Sequence, residues 1–352
     1  MDVFTCVGCG AVLTAPVSQV ALPVHAHHLS WHELLPPLME PGTYAVDPEP
    51  SGPPWRPWDE VGAVEAAARG VNAPVYSLSF GASGRIVVAP GDSRGTVLIP
   101  EQCEGYCLGL DGRNGPNLAC ECCGLAVATR MDDCSIWQAV WLEPGAVRRV
   151  PAGVPAPPAD WESLAREPCG TPPIEPVGAW SPRWEAAVAA ALAHLVVACD
   201  GGPVTLPDGL VAEVFGHGVA ALLPPGPSVK SVGLAGPGLA AAGPAPDIAL
   251  VPRHLRTGEP WRRSGAGATV PLATEVWTYL AFPRETSPLP ASGTLPDGVL
   301  RDDYPLPPHP MYTFRPDKRV FLDTLARLDA VRQPWLRDLY DQVRKEGVTF
   351  LG

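Results

Sequence analysis

The chain has 352 residues, a net charge of −12, 46% hydrophobic residues, 45 Pro, 36 Gly and eleven Trp. That length supports a real core and about two domains of ordinary size, and the apolar content argues against wholesale disorder although Pro and Gly approach the low-complexity level. The acidic excess repels phosphate backbones, so general nucleic-acid binding is disfavoured.

Only three of the 25 basic residues are Lys and only five residues are Ile, the bias of a GC-rich bacterial genome. The opening MDVFTCVGCG lacks the positive segment and apolar core of a signal peptide. The longest apolar stretch, Val188 to Cys199, is interrupted by His194 and falls short of the ~20 residues that span a bilayer. A cytoplasmic location without membrane insertion is the expectation, and in a reducing compartment clustered cysteines point to metal or redox chemistry before disulfides.

In chain order, Val3 to Thr14 reads as strand, tight turn and strand, with Cys6 and Cys9 in the turn. Residues 15 to 58 form a proline-rich excursion carrying His25, His27, His28 and His32. A short helix from Asp59 to Arg69 follows, then strands at Val75 to Phe80, Arg85 to Ala89 and Thr96 to Ile99, which predict an antiparallel meander. Further strands are expected at Leu118 and at Ile136 to Leu142. The ten prolines between Pro144 and Pro182 mark a linker or strap.

Beyond it, Trp184, Val188, Leu192, Leu195 and Cys199 fall at helical spacing and predict an amphipathic helix from Pro182 to Cys199. A helix near Leu210 to Leu223, strands at Val229 to Leu234 and Ile248 to Val251, an ambiguous segment from Val270 to Phe282, and helices Val320 to Arg332 and Trp335 to Lys345 complete the chain. The expected architecture is α+β: a β-rich, zinc-ribbon-containing domain over 1–150, a Pro-rich linker over 151–181, and a smaller α/β domain over 182–352 that ends in two helices.

Six of the ten cysteines lie between Cys103 and Cys134. Cys120-Glu121-Cys122-Cys123-Gly124 repeats the form of Cys6-Val7-Gly8-Cys9-Gly10. A C-x-x-C turn sets two sulfurs on one side of a tetrahedral ion, and the following Gly permits the positive φ that ends such a turn. Cys6, Cys9, Cys120 and Cys123 therefore make one complete four-thiolate Zn2+ site, of a structural kind because no position is left for substrate.

A competing partition groups Cys103, Cys107, Cys120 and Cys123, and leaves Cys6 and Cys9 to His25 with His28 or His32. The matched form of the two knuckles favours the first. Under it Cys103, Cys107 and Cys134 remain for a possible second metal, with Cys122 or a histidine from 25–32 as fourth ligand, and a three-thiolate site with an open position is the enzyme-like alternative. Against these stand plainer readings: buried apolar cysteines, free thiols, and a polar histidine loop. Redox-active thiols need a thioredoxin-like context that neither knuckle has.

Zinc-deaminase chemistry lacks its His and its placed Glu here, since Cys120 follows Ala119. His32-Glu33 runs into Pro36 without a second His, no G-x-S-x-G or phosphate-binding loop occurs, and Gly233 to Gly238 departs from the dinucleotide fingerprint. No catalytic residue can be named.

The run Gly95-Thr96-Val97-Leu98-Ile99-Pro100, Cys103, Tyr106-Cys107, Asp111-Gly112, Gly115-Pro116-Asn117, Cys120, Cys123-Gly124, Asp132-Asp133-Cys134 and Trp137-Gln138 resembles zinc-ribbon-like proteins of actinobacteria, mainly over the first 150 residues. The resemblance implies zinc and a GC-rich bacterial source, and it carries no activity with it. The expected function is that of a zinc-stabilised protein acting through a protein partner.

Overall fold

The structure is a computed structural model that describes residues 1–29, 34–153, 160–161, 171–175, 178–227, 230–239, 244–263, 265, 267–282 and 312–345. His32, Cys169, His309 and much of the expected linker lie outside the described residues. The chain contains both helices and sheets of mixed type, as an α+β protein does. It divides into two compact units, Met1–Ala159 with Leu255–Gly258, and Asp160–His254 with Glu259–Gly352.

The first unit begins with β1 (Asp2–Cys6), whose alternating pattern buries Asp2, Phe4 and Cys6 on one face, the period-two signature of a strand. The strands β2 (Ser18–Gln19), β3 (Thr43–Asp47), β4 (Trp55–Pro57), β5 (Ser77–Ser79), β6 (Arg85–Val88) and β7 (Thr96–Leu98) follow. Between β4 and β5, Gly62 at φ +77° splits the expected Asp59–Arg69 helix into α1 (Trp58–Val61) and α2 (Ala63–Ala68). The unit closes with β8 (Leu118–Cys120), β9 (Ala126–Met131), β10 (Ala139–Leu142) and β11 (Val147–Pro151).

Seven of these strands form one sheet in the order β2-β3-β6-β10-β9-β8-β7, while β4 pairs with β5 and β1 pairs with β11. The expected meander is therefore corrected. β5 leaves for β4, β6 is central between β3 and β10, and β7 is an edge strand beside β8. The reason lies in side-chain character: every residue of β6 is buried, as a central strand requires, whereas Val97 and Leu98 of β7 are exposed. The apolar core joins Phe4, Leu13, Val17, Tyr44, Val88, Val140 and Leu142 with Cys6 and Cys120. Each such large side chain taken from water contributes roughly 1.5–3 kcal/mol.

The second unit opens with α3 (Pro182–Cys199), followed by β12 (Val204–Thr205), α4 (Leu210–Leu222), β13 (Lys230–Leu234), β14 (Ile248–Pro252), β15 (Ala268–Leu272), α5 (Thr274–Ala281), α6 (Lys318–Arg327) and α7 (Pro334–Lys345). Its sheet is wholly parallel, in the order β12-β13-β14-β15. The segment Val270 to Phe282, ambiguous in sequence, resolves into a strand and a helix joined at Ala273. Pro271 is tolerated because β15 is an edge strand.

The ends of α3 agree with expectation, but it is not one-sided: twelve of its eighteen residues are buried, including Ala186, Ala187, Ala189, Ala190, Ala191 and Ala193. Alanine on the flanks lets neighbours approach from several directions, which is the mark of an internal helix. Among the described residues α3 is the one helix long and apolar enough to cross a membrane on length and composition, and 67% of that window is buried within the protein.

Candidate metal centre

Both C-x-x-C-G segments fold into the same turn. In the first, Cys6 N–H donates to the Ala11 carbonyl at 2.8 Å and Gly10 N–H to the Cys6 carbonyl at 2.9 Å. In the second, Cys120 N–H donates to the Leu125 carbonyl and Gly124 N–H to the Cys120 carbonyl, each at 2.8 Å. The two glycines sit at φ +79° and +76°, the left-handed conformation that favours a residue without Cβ. β1 delivers the first turn. β8 and β9 flank the second, and the Asn117 side chain steadies their hairpin by accepting Arg130 N–H at 2.7 Å and donating to its carbonyl at 2.9 Å.

The turns meet diagonally. Cys6 Sγ lies 3.6 Å from Cys123 Sγ, and Cys9 Sγ lies 3.6 Å from Cys120 Sγ. All four sulfurs fall within 4.8 Å of one another. The first cysteine of each turn is buried in the core, Cys6 at 2% and Cys120 at 1% exposure, and the second of each, Cys9 and Cys123, faces solvent. Gly8 stands against the cluster, since a Cβ there would come 3.3 Å from Cys123 Sγ.

Backbone N–H groups favour a thiolate at one of the four positions. Burial pushes the Cys120 thiol up, but the N–H groups of Cys123 and Cys122 and the thiols of Cys9 and Cys123 outweigh it and bring it down to about 7. Cys9 shows the converse. The Ala11 N–H draws it down, yet desolvation and the thiols of Cys120, Cys123 and Cys122 leave it well above the usual thiol range. Four sulfurs this close cannot all ionise against one another, and a cation at their centre removes that repulsion. The donor set therefore fits a metal ion.

Of the two ligand partitions open in the sequence, the structure assembles the first. Cys103 is not part of the group that holds Cys120 and Cys123; its Sγ donates to the Ile99 carbonyl at 3.2 Å. No described histidine joins Cys6 and Cys9 either. His27 Nε2 lies 2.7 Å from Asp47 Oδ2 and its ring stacks on Trp141, while His25 is buried against Trp137 with ring centroids 4.3 Å apart. His28 likewise lies outside the cysteine groups. Cys122 is exposed and its thiol is among the groups that raise the Cys9 thiol, which places it beside this cluster and not at the second one.

The expected second set, Cys103, Cys107 and Cys134, is brought together in part. Cys107 and Cys134 come together, their sulfurs 3.0 Å apart, with Asp133 beside them, and Cys103 lies outside this group. The only signal for Asp133 in the sequence was its place immediately before Cys134. A separate concavity of about 390 Å3 is lined by Ser51, Pro53, Pro54, Arg85, Asn114 and Glu143, among others. Arg85 there is buried and committed to Glu143 at 2.6 Å and Thr129 at 2.9 Å, so it serves the fold.

No protein-family model, curated protein or solved structure matches the chain.

Proposed function

We propose that this is a zinc protein in which Cys6, Cys9, Cys120 and Cys123 hold one structural Zn2+ and tie the first residues of the chain to the β8–β9 hairpin. The observation that carries this reading is the sulfur geometry. Zinc–thiolate bonds of about 2.3 Å in a tetrahedron set sulfur–sulfur separations of about 3.8 Å, and the two diagonal contacts measure 3.6 Å. Four thiolates fill the shell, so the ion holds structure and leaves no position for substrate. On this reading the first unit is a zinc ribbon with a long insertion between its halves, of the kind the actinobacterial resemblance implied.

Function then rests on contacts with a protein partner in the cytoplasm. Support comes from exposed large side chains on the first unit, Val64 at 89%, Tyr76 at 96% and Tyr106 at 87%, and from the acidic charge that disfavours nucleic acid. The test is the metal content of the purified chain with Cys6, Cys9, Cys120 and Cys123 changed to Ser one at a time. One zinc that survives dialysis against a mild chelator is expected in the parent protein and is lost from each variant; retention of that zinc by all four variants overturns the reading.

A further inference from the structure

The loop carrying Cys107 and the turn carrying Cys134 are locked together by a buried carboxylate. Asp133, 3% exposed, accepts Leu108 N–H at 3.0 Å with one oxygen and Cys134 N–H at 2.6 Å with the other. Beside it, Asp132 N–H donates to the Leu110 carbonyl at 2.8 Å. The path of the loop is set by its glycines: Gly109 sits at φ +83°, and a Cβ on Gly105 would come within 2.7 Å of the Gly109 backbone. These ties hold the Cys107 and Cys134 sulfurs 3.0 Å apart, with an Asp133 oxygen within 4.8 Å of both.

We propose that Cys107, Asp133 and Cys134 form a second binding site for a thiophilic divalent cation such as Zn2+, exchangeable and with one coordination position open to water or an external ligand. Three protein ligands and one free position are the arrangement that distinguishes an open site from a closed one. The two sulfurs and one oxygen also suit zinc better than calcium or magnesium, which take oxygen donors. A carboxylate oriented by backbone N–H groups is a prepared ligand, since each oxygen keeps a further lone pair for the metal.

Binding replaces the Cys134 S–H···Cys107 hydrogen bond. Both thiol protons leave to solvent, and the sulfurs separate to about 3.8 Å around the ion. Cys107 is exposed and can make that move, whereas the four-cysteine centre is anchored in the core by Cys6 and Cys120. The second cation therefore exchanges while the first is retained. This inference goes beyond the structural-zinc reading, and the zinc counts of its test rest on that reading.

The experiment uses the full chain, equilibrated with Zn2+ alone under reducing conditions and then dialysed against a mild chelator. Metal content, thiol alkylation and intact mass are read in parallel. Two zincs per chain are expected before dialysis and one after. Cys134→Ser should bind one zinc before and after, and its retained zinc reports that it is folded. Asp133→Asn should weaken the second zinc by about 10-fold or more, and Cys103→Ser should behave like the parent. One zinc in the parent protein with Cys107 and Cys134 both freely alkylated overturns the proposal, as does an intact mass showing the two joined as a disulfide. Failure of the structural reading looks different, because there Cys9→Ser binds as many zincs as the parent protein, both before and after dialysis.

Discussion

Replacing Cys9 with Ser separates a metal centre from a chance cluster of thiols better than replacing its buried neighbours. Cys9 is exposed, and exposed substitutions away from any special feature stay within about 0.5 kcal/mol. If Cys9 holds zinc the cost is of another size. Structural zinc contributes about 10–16 kcal/mol at neutral pH, so one thiolate in four carries roughly 3 kcal/mol. Cys6→Ser should cost more, because Cys6 is 2% exposed and a hydroxyl placed there adds about 1–3 kcal/mol of unsatisfied polarity.

The readout is hydrogen exchange of the knuckle amides, those of Cys6, Gly10, Cys120 and Gly124, whose hydrogen bonds define the two turns. A 3 kcal/mol loss corresponds to about 150-fold faster exchange when the amides exchange through opening of the site. A strong chelator should speed exchange in the parent protein at least to the rate of Cys9→Ser, because it removes the ion and the substitution removes one of its four ligands. Exchange in Cys9→Ser within about twofold of the parent, with the same response to chelator, refutes the reasoning.

Three further outcomes follow from other parts of the molecule. Gly10→Ala should cost about 1–2 kcal/mol through its φ of +79°, although nothing lies within 4 Å of a Cβ there; thermal unfolding of the zinc-loaded protein checks the size. Arg85→Ala should destabilise the first unit by about 1–3 kcal/mol by leaving the half-buried Glu143 without its partner, and Arg85→Met with Glu143→Leu should recover much of that, measured by urea unfolding. His194 is held neutral, its pKa brought from 6.5 down to about 4 by burial and by the nearby Arg253. The unfolded chain therefore binds a proton that the fold refuses across that window, and stability should fall by about 3 kcal/mol as pH drops from 6.5 to 4; His194→Leu should flatten this slope in a pH series of unfolding midpoints.

The four-cysteine set was legible because its signal is local. Each C-x-x-C-G spells its own turn, with the Gly at the one position that needs positive φ, and matching two identical turns requires no knowledge of the chain between them. Asp133 was not legible, since its proximity to Cys107 depends on how two loops meet, and a carboxylate beside a cysteine is common without meaning. The course of β6 was hidden for a related reason: Ile86, Val87 and Val88 declare a buried strand but not its partners, which come from β3 and β10 on either side in sequence. In α3 the large residues gave the right ends and too narrow a buried face, because alanine satisfies any packing and so carries no directional signal.

The long insertion between the knuckles changes what the metal does. Cys9 and Cys120 are 111 positions apart, and β2 to β7 all lie between them. Closing a loop of that length costs the unfolded chain about 5 kcal/mol of entropy. A metal bound only in the folded state offsets that cost, but it is not the sole tie on the N-terminal residues. β1 pairs along its length with β11, from Asp2 opposite Pro151 to Cys6 opposite Val147. Asp2 also accepts from Tyr44 at 2.9 Å and lies 3.0 Å from the Arg149 guanidinium. The strand pairing and the metal hold the same ten residues from opposite ends, so removing zinc should loosen the two knuckles first and leave β1 in register. Zinc loss combined with Asp2→Ala should release the whole strand, with a cost greater than the sum of the two, because each constraint supplies the closure that the other needs.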